Sequence, residues 1–227
     1  MAEVRAPGLH LRHWPAWLAP SAAAELLERL QLEVPWKQEA ITLYGRRHLL
    51  PRLTCWMADP GCAYRYSGLQ QAIHPWTAEL ETLRQLLLDQ LGVRFNSLLL
   101  NRYRDGADRM GWHADDEPEL DDQAPIVSLS LGAARDLRFR PRRGDEAPLA
   151  INLADGDLLV MDPPSQRHWQ HGLPQRLRLQ GERLNLTFRR IQPSSAMQSI
   201  STRAPLGRAA TSTQARAGDT PAPNTSA

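Results

Sequence analysis

Lysine, cysteine and long apolar runs are nearly absent from this chain. Lys37 is the only lysine among 27 basic residues. Cys55 and Cys62 are the only cysteines, too few for a disulfide framework or a thiolate zinc site, so we expect a reduced, cytoplasmic protein. No apolar run approaches the roughly 20 residues that span a bilayer, so we expect no membrane partner.

The composition is otherwise that of a globular protein. The chain has 227 residues, of which 42% are hydrophobic and 23% charged, and its formal net charge is +2. This length supports one large domain or two small ones, with a core that needs no disulfide. Because arginine carries nearly all of the positive charge, two explanations stay open. One is a biased genome composition, and the other is binding of phosphates and carboxylates, which arginine contacts with two parallel hydrogen bonds.

Three segments are predicted from the pattern of apolar residues. Residues 1–33 form an N-terminal extension that ends in a helix. Residues 34–191 form one domain, with hairpins in 34–75 and a helix followed by strands in 76–191. Residues 192–227 are rich in Ser, Thr, Ala and Pro and show no apolar period, which predicts a disordered tail.

Two helices are predicted among a larger number of short strands. One helix over 22–33 has Ser21 as its N-cap, and a second over 76–91 presents a leucine stripe and ends at Gly92. Strands are predicted at residues 40–43, 48–55, 93–103, 126–131, 137–140, 149–153, 157–161 and 183–191. This pattern indicates an α+β, mainly β fold in which helices pack on a β-sandwich or jelly roll.

A short motif predicts a metal site. His113 and Asp115 are two residues apart, so in an extended chain both side chains project from the same face. A later histidine would complete a set of two histidines and one carboxylate, the usual ligand set of non-haem Fe(II) oxygenases. His168 and His171 are both candidates for that third ligand.

The last predicted strand carries polar residues in strict alternation. They are Arg183, Asn185, Thr187 and Arg189, and they fall on one face. Such a face either meets water or, if it is turned toward a metal site, offers two arginines to a dicarboxylate. Asn101 and Tyr103 share one face of another predicted strand and could complete that pocket with hydrogen bonds.

These motifs together resemble one enzyme family. Asn101-Arg102-Tyr103, His113-x-Asp115, His171 and Arg183-x-Asn185-x-Thr187-x-Arg189 are similar in order and spacing to motifs of the AlkB family of Fe(II)/2-oxoglutarate dioxygenases. The likeness covers residues 34–191 and is greatest to the branch that contains the vertebrate DNA-repair members. It implies a double-stranded β-helix, or jelly roll, with flanking N-terminal helices and a nucleotide-recognition hairpin region at 34–75.

The resemblance also implies the site residues and the reaction. Iron would be held by His113, Asp115 and His171. The 2-oxoglutarate site would comprise Asn101, Tyr103, Arg183, Thr187 and Arg189. With Fe(II) as the metal and 2-oxoglutarate and O₂ as co-substrates, the reaction would hydroxylate an N-methyl group and release formaldehyde, succinate and CO₂.

The substrate side must accept a base that lies outside a stacked duplex, because a methylated base cannot reach buried iron while it is paired. The resemblance implies five substrate-binding residues: Tyr44, Arg52, Tyr64, Tyr66 and Asp116. Tyr66 would stack on the base, and Tyr44 would fill the gap that a flipped base leaves. Asp116 would contact an exocyclic amine or offset the positive charge of the methylated base.

The expected function is direct reversal of N-alkyl damage by a monomer, through oxidative demethylation of 1-methyladenine and 3-methylcytosine in single- or double-stranded DNA. RNA is a further expected partner. Two alternatives stay open: an RNA or protein demethylase or hydroxylase on the same core, and a non-enzymatic nucleic-acid binder.

A basic cluster lies between the predicted metal pair and the last strand, and it consists of Arg135, Arg138, Arg140, Arg142 and Arg143. It would either follow the phosphate backbone of a nucleic acid or form a solvated hairpin.

Overall fold

Alternating apolar residues build two β-sheets that share one core. The computed structural model describes residues 1–43, 45–62, 65–66, 69–70 and 72–192. In chain order its first strands are β1 (Ala2–Ala6), β2 (Leu9–Trp14), β3 (Ala40–Leu43), β4 (Arg46–Leu49), β5 (Leu53–Ala58), β6 (Arg65–Tyr66), β7 (Leu69–Gln70) and β8 (Ile73–His74). The later strands are β9 (Ser97–Tyr103), β10 (Met110–His113), β11 (Ile126–Gly132), β12 (Arg135–Pro141), β13 (Leu149–Leu153), β14 (Leu158–Asp162), β15 (Trp169–Leu173) and β16 (Arg183–Arg189). The helices are α1 (Pro20–Glu33), α2 (Ala78–Leu91) and the short α3 (Ser165–His168).

The larger sheet has eight strands in the order β1-β2-β14-β11-β16-β9-β5-β8, and the smaller sheet has four in the order β10-β15-β12-β13. All neighbouring strands are antiparallel except β5 and β8. Two further hairpins, β3–β4 and β6–β7, form separate two-stranded sheets. Strands β11, β16 and β9 therefore lie side by side at the centre of the larger sheet.

Apolar side chains occupy both faces of the larger sheet. One cluster joins its inner face to the smaller sheet, where Met161 of β14 packs with Phe139 of β12 and Leu173 of β15. The other joins its outer face to the helices, where Leu30 of α1 and Leu83 of α2 pack with neighbouring strand residues. The two long helices, the larger sheet and the smaller sheet thus form successive layers, and the buried residues of β14 alternate between the two clusters.

Helix α1 starts two residues earlier than the sequence predicts, and helix α2 starts two residues later. Helix α1 begins at Pro20, with Ala19 at the N-cap and no side-chain capping bond, so the prediction of Ser21 as N-cap is wrong. Proline suits the first turn because the helix does not need its missing N–H there. Helix α2 begins at Ala78, where Thr77 Oγ1 accepts a hydrogen bond from the Leu80 N–H. Its predicted end is confirmed, because Gly92 closes the helix in the left-handed conformation.

The first fourteen residues add two strands that the sequence prediction assigns to an N-terminal extension. Strand β2 pairs with β14 over five residue pairs, so this segment is part of the larger sheet. Leu9 and Leu11 are buried, whereas His10 and Arg12 between them are partly exposed. Apolar and polar residues thus alternate with the two-residue period of a half-buried strand, a pattern that the sequence already shows.

Most remaining predictions lie close to the observed elements, but the single strand predicted over 48–55 is wrong. Strand β4 ends at Leu49 and β5, in the larger sheet, begins at Leu53, with Pro51 between them. The β3–β4 hairpin is confirmed, with Gly45 at a φ of 74° in the turn. Strand β9 begins at Ser97 and not at residue 93. The predicted tail beyond residue 192 lies outside the described residues. None of the helices in the described ranges is long and apolar enough to cross a membrane.

Candidate active site

Two histidines and one aspartate meet at the edge of the smaller sheet. His113 ends β10 and lies opposite His171 of β15 in the strand pairing. Asp115 follows the end of β10, and the ligand atoms of the three residues all lie within 4.8 Å of one another. His171 Nε2 lies 3.8 Å from Asp115 Oδ2. The structure therefore brings His171 to the predicted pair, while the other candidate, His168, lies exposed at the end of α3.

Neighbouring groups hold the candidate ligand atoms in place. His113 Nδ1 lies 2.9 Å from the Gly111 carbonyl oxygen, which only accepts, so Nδ1 carries the proton and Nε2 presents its lone pair. The Asp115 backbone N–H donates to Gln166 Oε1 at 2.9 Å, and Arg189 donates to Asp115 Oδ1. Asp115 Oδ2 is buried and accepts no hydrogen bond from the described residues. A buried carboxylate oxygen left open beside two imidazoles fits a metal ligand.

The protonation states of these three residues also suit a cation. Burial lowers the pKa of His113, and burial together with the neighbouring His113 lowers the pKa of His171 to about 3. Burial alone would raise the pKa of Asp115, but the positive charge of Arg189 and the two histidines outweigh it and hold the pKa below its ordinary value. At neutral pH the group therefore offers two neutral imidazoles and one carboxylate, which are the forms that bind a metal.

We call His113, Asp115 and His171 the metal group. A buried arginine without an acidic partner lines the same cavity. Arg183 of β16 donates to Ser130 Oγ at 2.8 Å and to Asn185 Oδ1 at 2.9 Å. Burial lowers its pKa to about 10, so it is still a cation at neutral pH. Among the described residues no carboxylate lies within ion-pair distance of it, and its Nε has no hydrogen-bond partner. A buried cation in this state fits a site for an anionic ligand.

Strand β9 supplies the other polar side chains of the pocket. Tyr103 and Asn101 lie opposite Arg183 and Asn185 in the pairing of β9 with β16. The Arg183 guanidinium carbon lies 5.5 Å from the centre of the Tyr103 ring. Asn101 Oδ1 accepts a hydrogen bond from Arg52 Nε at 2.7 Å. The pairing register thus aligns two polar rows, which the sequence places 80 residues apart, on the same inner face.

One cavity joins Arg183 to the metal group. Its lining comprises Asn101, Tyr103, Met110, His113, Asp115, Ser128, Leu137, Met161, His171, Leu173, Arg183, Asn185, Thr187 and Arg189. All the residues predicted for iron and for 2-oxoglutarate are in this set. The polar face of β16 is therefore turned inward, and the alternative of a solvated polar face is wrong.

Three polar residues of the site are missed by the sequence prediction. Ser128 Oγ donates to Asn185 Oδ1, and Ser130 Oγ accepts from Arg183. Both serines interrupt an apolar strand at two-residue spacing, a signal that could have placed them on the polar inner face. Gln166, which orients Asp115, lies 51 residues away along the chain and shows no sequence pattern that links it to the metal group.

The predicted substrate residues are only partly brought together. Arg52 is buried and lines an open groove over His113, together with Leu49, Arg109 and Trp112. Asp116 does not line that groove. It forms a 2.7 Å ion pair with Arg142 and lines a separate groove beside Asp115. Tyr44 and Tyr64 lie outside the described residues, and Tyr66 lies in β6, where only the backbone is described.

The predicted basic cluster is divided between the interior and the surface. Arg135 is buried and donates to the carbonyl oxygens of Asp105, Asp108 and Pro174, so its inclusion in an exposed cluster is wrong. It lies on the inner face of β12 because it alternates with Asp136 and Arg138. The other four arginines of the cluster are exposed.

Comparison with known proteins agrees with this arrangement. The sequence profile of the 2OG-Fe(II) oxygenase superfamily matches residues 10–189. The DNA oxidative demethylase ALKBH2 of Mus musculus is 39% identical over 203 residues, which cover 85% of this chain and 84% of the relative. The chain belongs to the AlkB family of 2OG-Fe(II) oxygenases. This oxygenase is also 36% identical to the alpha-ketoglutarate-dependent dioxygenase alkB homolog 3 of Rattus norvegicus, over 79% of the chain and 63% of the relative.

A solved structure supports the fold. The structure described as OsALKBH1 superposes with a TM-score of 0.57 at 20% sequence identity, and the match covers 82% of this chain and all of the other. The predicted double-stranded β-helix is therefore confirmed for this oxygenase. It is an Fe(II)- and 2-oxoglutarate-dependent dioxygenase, so the alternative of a non-enzymatic binder is not supported.

Proposed function

We propose that this oxygenase repairs DNA by oxidative demethylation of 1-methyladenine and 3-methylcytosine. The observation that carries the proposal is its similarity to DNA oxidative demethylases over most of both chains, at up to 39% identity. The geometry supports it, because the metal group opens on a groove that is lined by arginines and an exposed tryptophan, which suits a nucleotide.

Iron would be held by His113, Asp115 and His171. When bound with 2-oxoglutarate and O₂, it supplies the oxidation of an N-methyl carbon, with 2-oxoglutarate converted to succinate and CO₂. The hydroxymethyl product then loses formaldehyde, which leaves the unmodified base. The contribution of the protein is to position the methyl group, to bind the co-substrate and to exclude water from the cavity.

The polar rows of β9 and β16 would bind 2-oxoglutarate. Arg183 and Tyr103 are proposed to contact the carboxylate far from the metal, because Arg183 is the buried cation without an acidic partner. Arg189 is proposed to lie near the carboxylate at the metal, since it already contacts Asp115. Asn101 and Thr187 line the cavity between these two ends.

The methylated base would enter the groove over His113. Arg52 lies in that groove and is proposed to contact the base. Its Nε donates a hydrogen bond to Asn101, so the same contact also orients a residue of the proposed co-substrate pocket. Tyr66 and Tyr64 are proposed to stack on the base, and Tyr44 to fill the gap in a duplex. Asp116 would need to exchange its partner Arg142 for the base, and such a half-exposed ion pair costs little to break.

The test is formaldehyde release from defined substrates. The full chain is reconstituted with Fe(II) without oxygen and then given O₂ and 2-oxoglutarate. The substrates are oligonucleotides with 1-methyladenine or 3-methylcytosine, as single-stranded DNA, duplex DNA and RNA, and a methylated peptide. Release that matches base repair in DNA is expected, and His171→Ala should abolish it. Repair of RNA or peptide in place of DNA would overturn the proposal while leaving the dioxygenase chemistry intact.

A further inference from the structure

The outer face of the smaller sheet carries an aromatic and basic surface, and its two arginines lie outside the groove proposed for the methylated base. Strand β12 buries Leu137 and Phe139 in the core, so the alternating Arg138 and Arg140 are exposed on the opposite face. Trp112 of β10 is 40% exposed, so part of its aromatic surface is open to a ligand. We call Trp112, Arg138 and Arg140 the outer-face group.

Arg140 lies over the ring of Trp112. Its guanidinium carbon lies 4.5 Å from the centre of the Trp112 ring. Its Nε and Nη2 donate to Gln170 Oε1 at 3.1 and 2.9 Å. Gln170 of β15, the strand between β10 and β12, therefore holds Arg140 over Trp112. Arg140 Nη1 makes no hydrogen bond to a described residue. A ring and a cation arranged in advance lose little conformational entropy when a ligand binds.

Arg138 stands in an open position beside this pair. In the strand pairing it lies opposite Gly172 on one side and Ala150 on the other, so no long side chain shields it. Among the described residues it has no hydrogen bond and no ion-pair partner within 4 Å. Arg138 and Arg140 are two residues apart on one strand face, which separates them by about 7 Å along a flat surface.

Trp112 also belongs to the groove over the metal group. It lines that groove together with His113, Arg52 and Arg109. It is therefore the residue at which the groove and the outer face of the smaller sheet meet. If a polymeric ligand such as a nucleic-acid strand places one residue over His113, its next residues would cross Trp112 and continue toward Arg138 and Arg140.

We propose that the outer-face group binds the unpaired nucleotides next to the methylated base, with one flanking base stacked on Trp112 and backbone phosphates on Arg138 and Arg140. The inference rests on the proposed function for the identity of the ligand and deepens it to a preference for single-stranded nucleic acid. A base stacks on an aromatic ring whatever its sequence, and arginine contacts phosphates with two hydrogen bonds. A second protein copy is the poorer occupant, because charged groups dominate this face and stable protein interfaces have few of them at their centre.

The proposal is tested by binding and not by turnover. Anisotropy of a labelled, unmethylated single strand is measured with the full chain under anaerobic Fe(II) and 2-oxoglutarate, and the same strand is measured as a duplex. Trp112→Ala should weaken single-strand binding about tenfold or more, as expected for loss of one stacked base, and Trp112→Phe should retain most of the affinity. The loss should be smaller for the duplex, because its bases are already stacked.

Salt dependence tests the arginines separately. The double variant with Arg138→Gln and Arg140→Gln should make the slope of log affinity against log salt shallower by about 1.4 on a single strand, because each lost phosphate contact contributes roughly 0.7. Arg94→Gln is the matched control, since Arg94 is an exposed arginine in the loop between α2 and β9. Its slope should equal that of the wild type.

The outcomes separate this inference from the proposed function. Unchanged single-strand binding in Trp112→Ala, or an equal loss on single strand and duplex, overturns the stacking role. A variant that changes self-association in sedimentation but not oligonucleotide binding shows that a second copy covers this face, and it also overturns the proposal. If wild type repairs no methylated base but its binding depends on Trp112, the binding surface stands and the proposed function fails.

Discussion

Arg189 donates a hydrogen bond to Asp115 Oδ1, and the two side chains are only 2% and 1% exposed. This contact joins the last strand of the larger sheet to the loop that follows β10. Because Arg189 also lines the proposed 2-oxoglutarate cavity, one buried ion pair links the co-substrate pocket to a proposed iron ligand. Binding of metal and of co-substrate should therefore depend on the same arginine.

Replacement of Arg189 should weaken metal binding although Arg189 is not a ligand. Arg189→Gln removes the charge that keeps Asp115 ionised and the hydrogen bond that orients it. We expect metal affinity to fall about 10- to 100-fold, the usual effect of losing a group that orients a ligand. Anaerobic calorimetric titration with Fe(II) measures this. The neighbouring Arg190→Gln, which breaks only a half-exposed ion pair with Asp121, is the control and should leave affinity unchanged. Equal metal affinity in Arg189→Gln and wild type would refute the link.

Arg183 should account for most of the stabilisation that 2-oxoglutarate gives to the fold. A ligand that neutralises a buried cation binds the folded state alone and raises the melting temperature. Arg183→Met should weaken 2-oxoglutarate binding about 10- to 100-fold, the range for a lost charge-assisted hydrogen bond. Thermal denaturation with Mn(II) and increasing 2-oxoglutarate shows this as a loss of the ligand-dependent shift. Arg178→Met, at an exposed arginine, should keep the full shift. If Arg183→Met keeps it as well, the anion site lies elsewhere.

Asp157 should make stability depend on pH in the acid range. Burial alone would raise its pKa, but hydrogen bonds from the backbone N–H groups of Ala154 and Ala16 and from His13 outweigh burial and lower the pKa. The folded pKa is thus below the unfolded value of about 3.9. The stabilisation is therefore present above that pH and is lost as the pH falls through the folded pKa.

Asp157→Asn measures this contribution. We expect it to lower the free energy of unfolding at pH 7 by about 1–3 kcal/mol and to flatten the acid limb of the stability curve. Urea unfolding between pH 3 and 7 provides the comparison. Asp89→Asn, at an exposed residue of α2, should leave the acid limb unchanged. An acid limb of the same steepness in Asp157→Asn and wild type would show that another group titrates.

Gly106 should tolerate no side chain, because the backbone of the β15–β16 connection lies against it. A Cβ at this position would lie 1.8 Å from the Arg176 carbonyl oxygen. The Gly106 N–H also donates to the Leu179 carbonyl, and its own carbonyl accepts from the Arg176 N–H. Gly106→Ala should therefore destabilise the fold by about 1–3 kcal/mol, as overpacking does. Gly111→Ala, where a Cβ meets nothing within 4 Å, is the matched control for thermal denaturation.

The sequence by itself determined what depends on the local geometry of the backbone. A strand has a period of two, so the alternation of Arg183, Asn185, Thr187 and Arg189 placed them on one face, and the spacing of His113 and Asp115 predicted a metal pair. A stripe of leucines followed by Gly92 located the end of α2. The order of these motifs was enough to indicate the family.

Only the tertiary structure decided which faces meet. The polar face of β16 could have met water, and strand pairing with β9 and β11 turned it toward the metal group. His171 rather than His168 reached that group because it lies on β15, whose register places it opposite His113. Arg135 is an interior residue and Arg140 a surface residue because they lie on opposite faces of β12. Such outcomes depend on pairing between distant segments, and residues that pair need share no pattern along the chain.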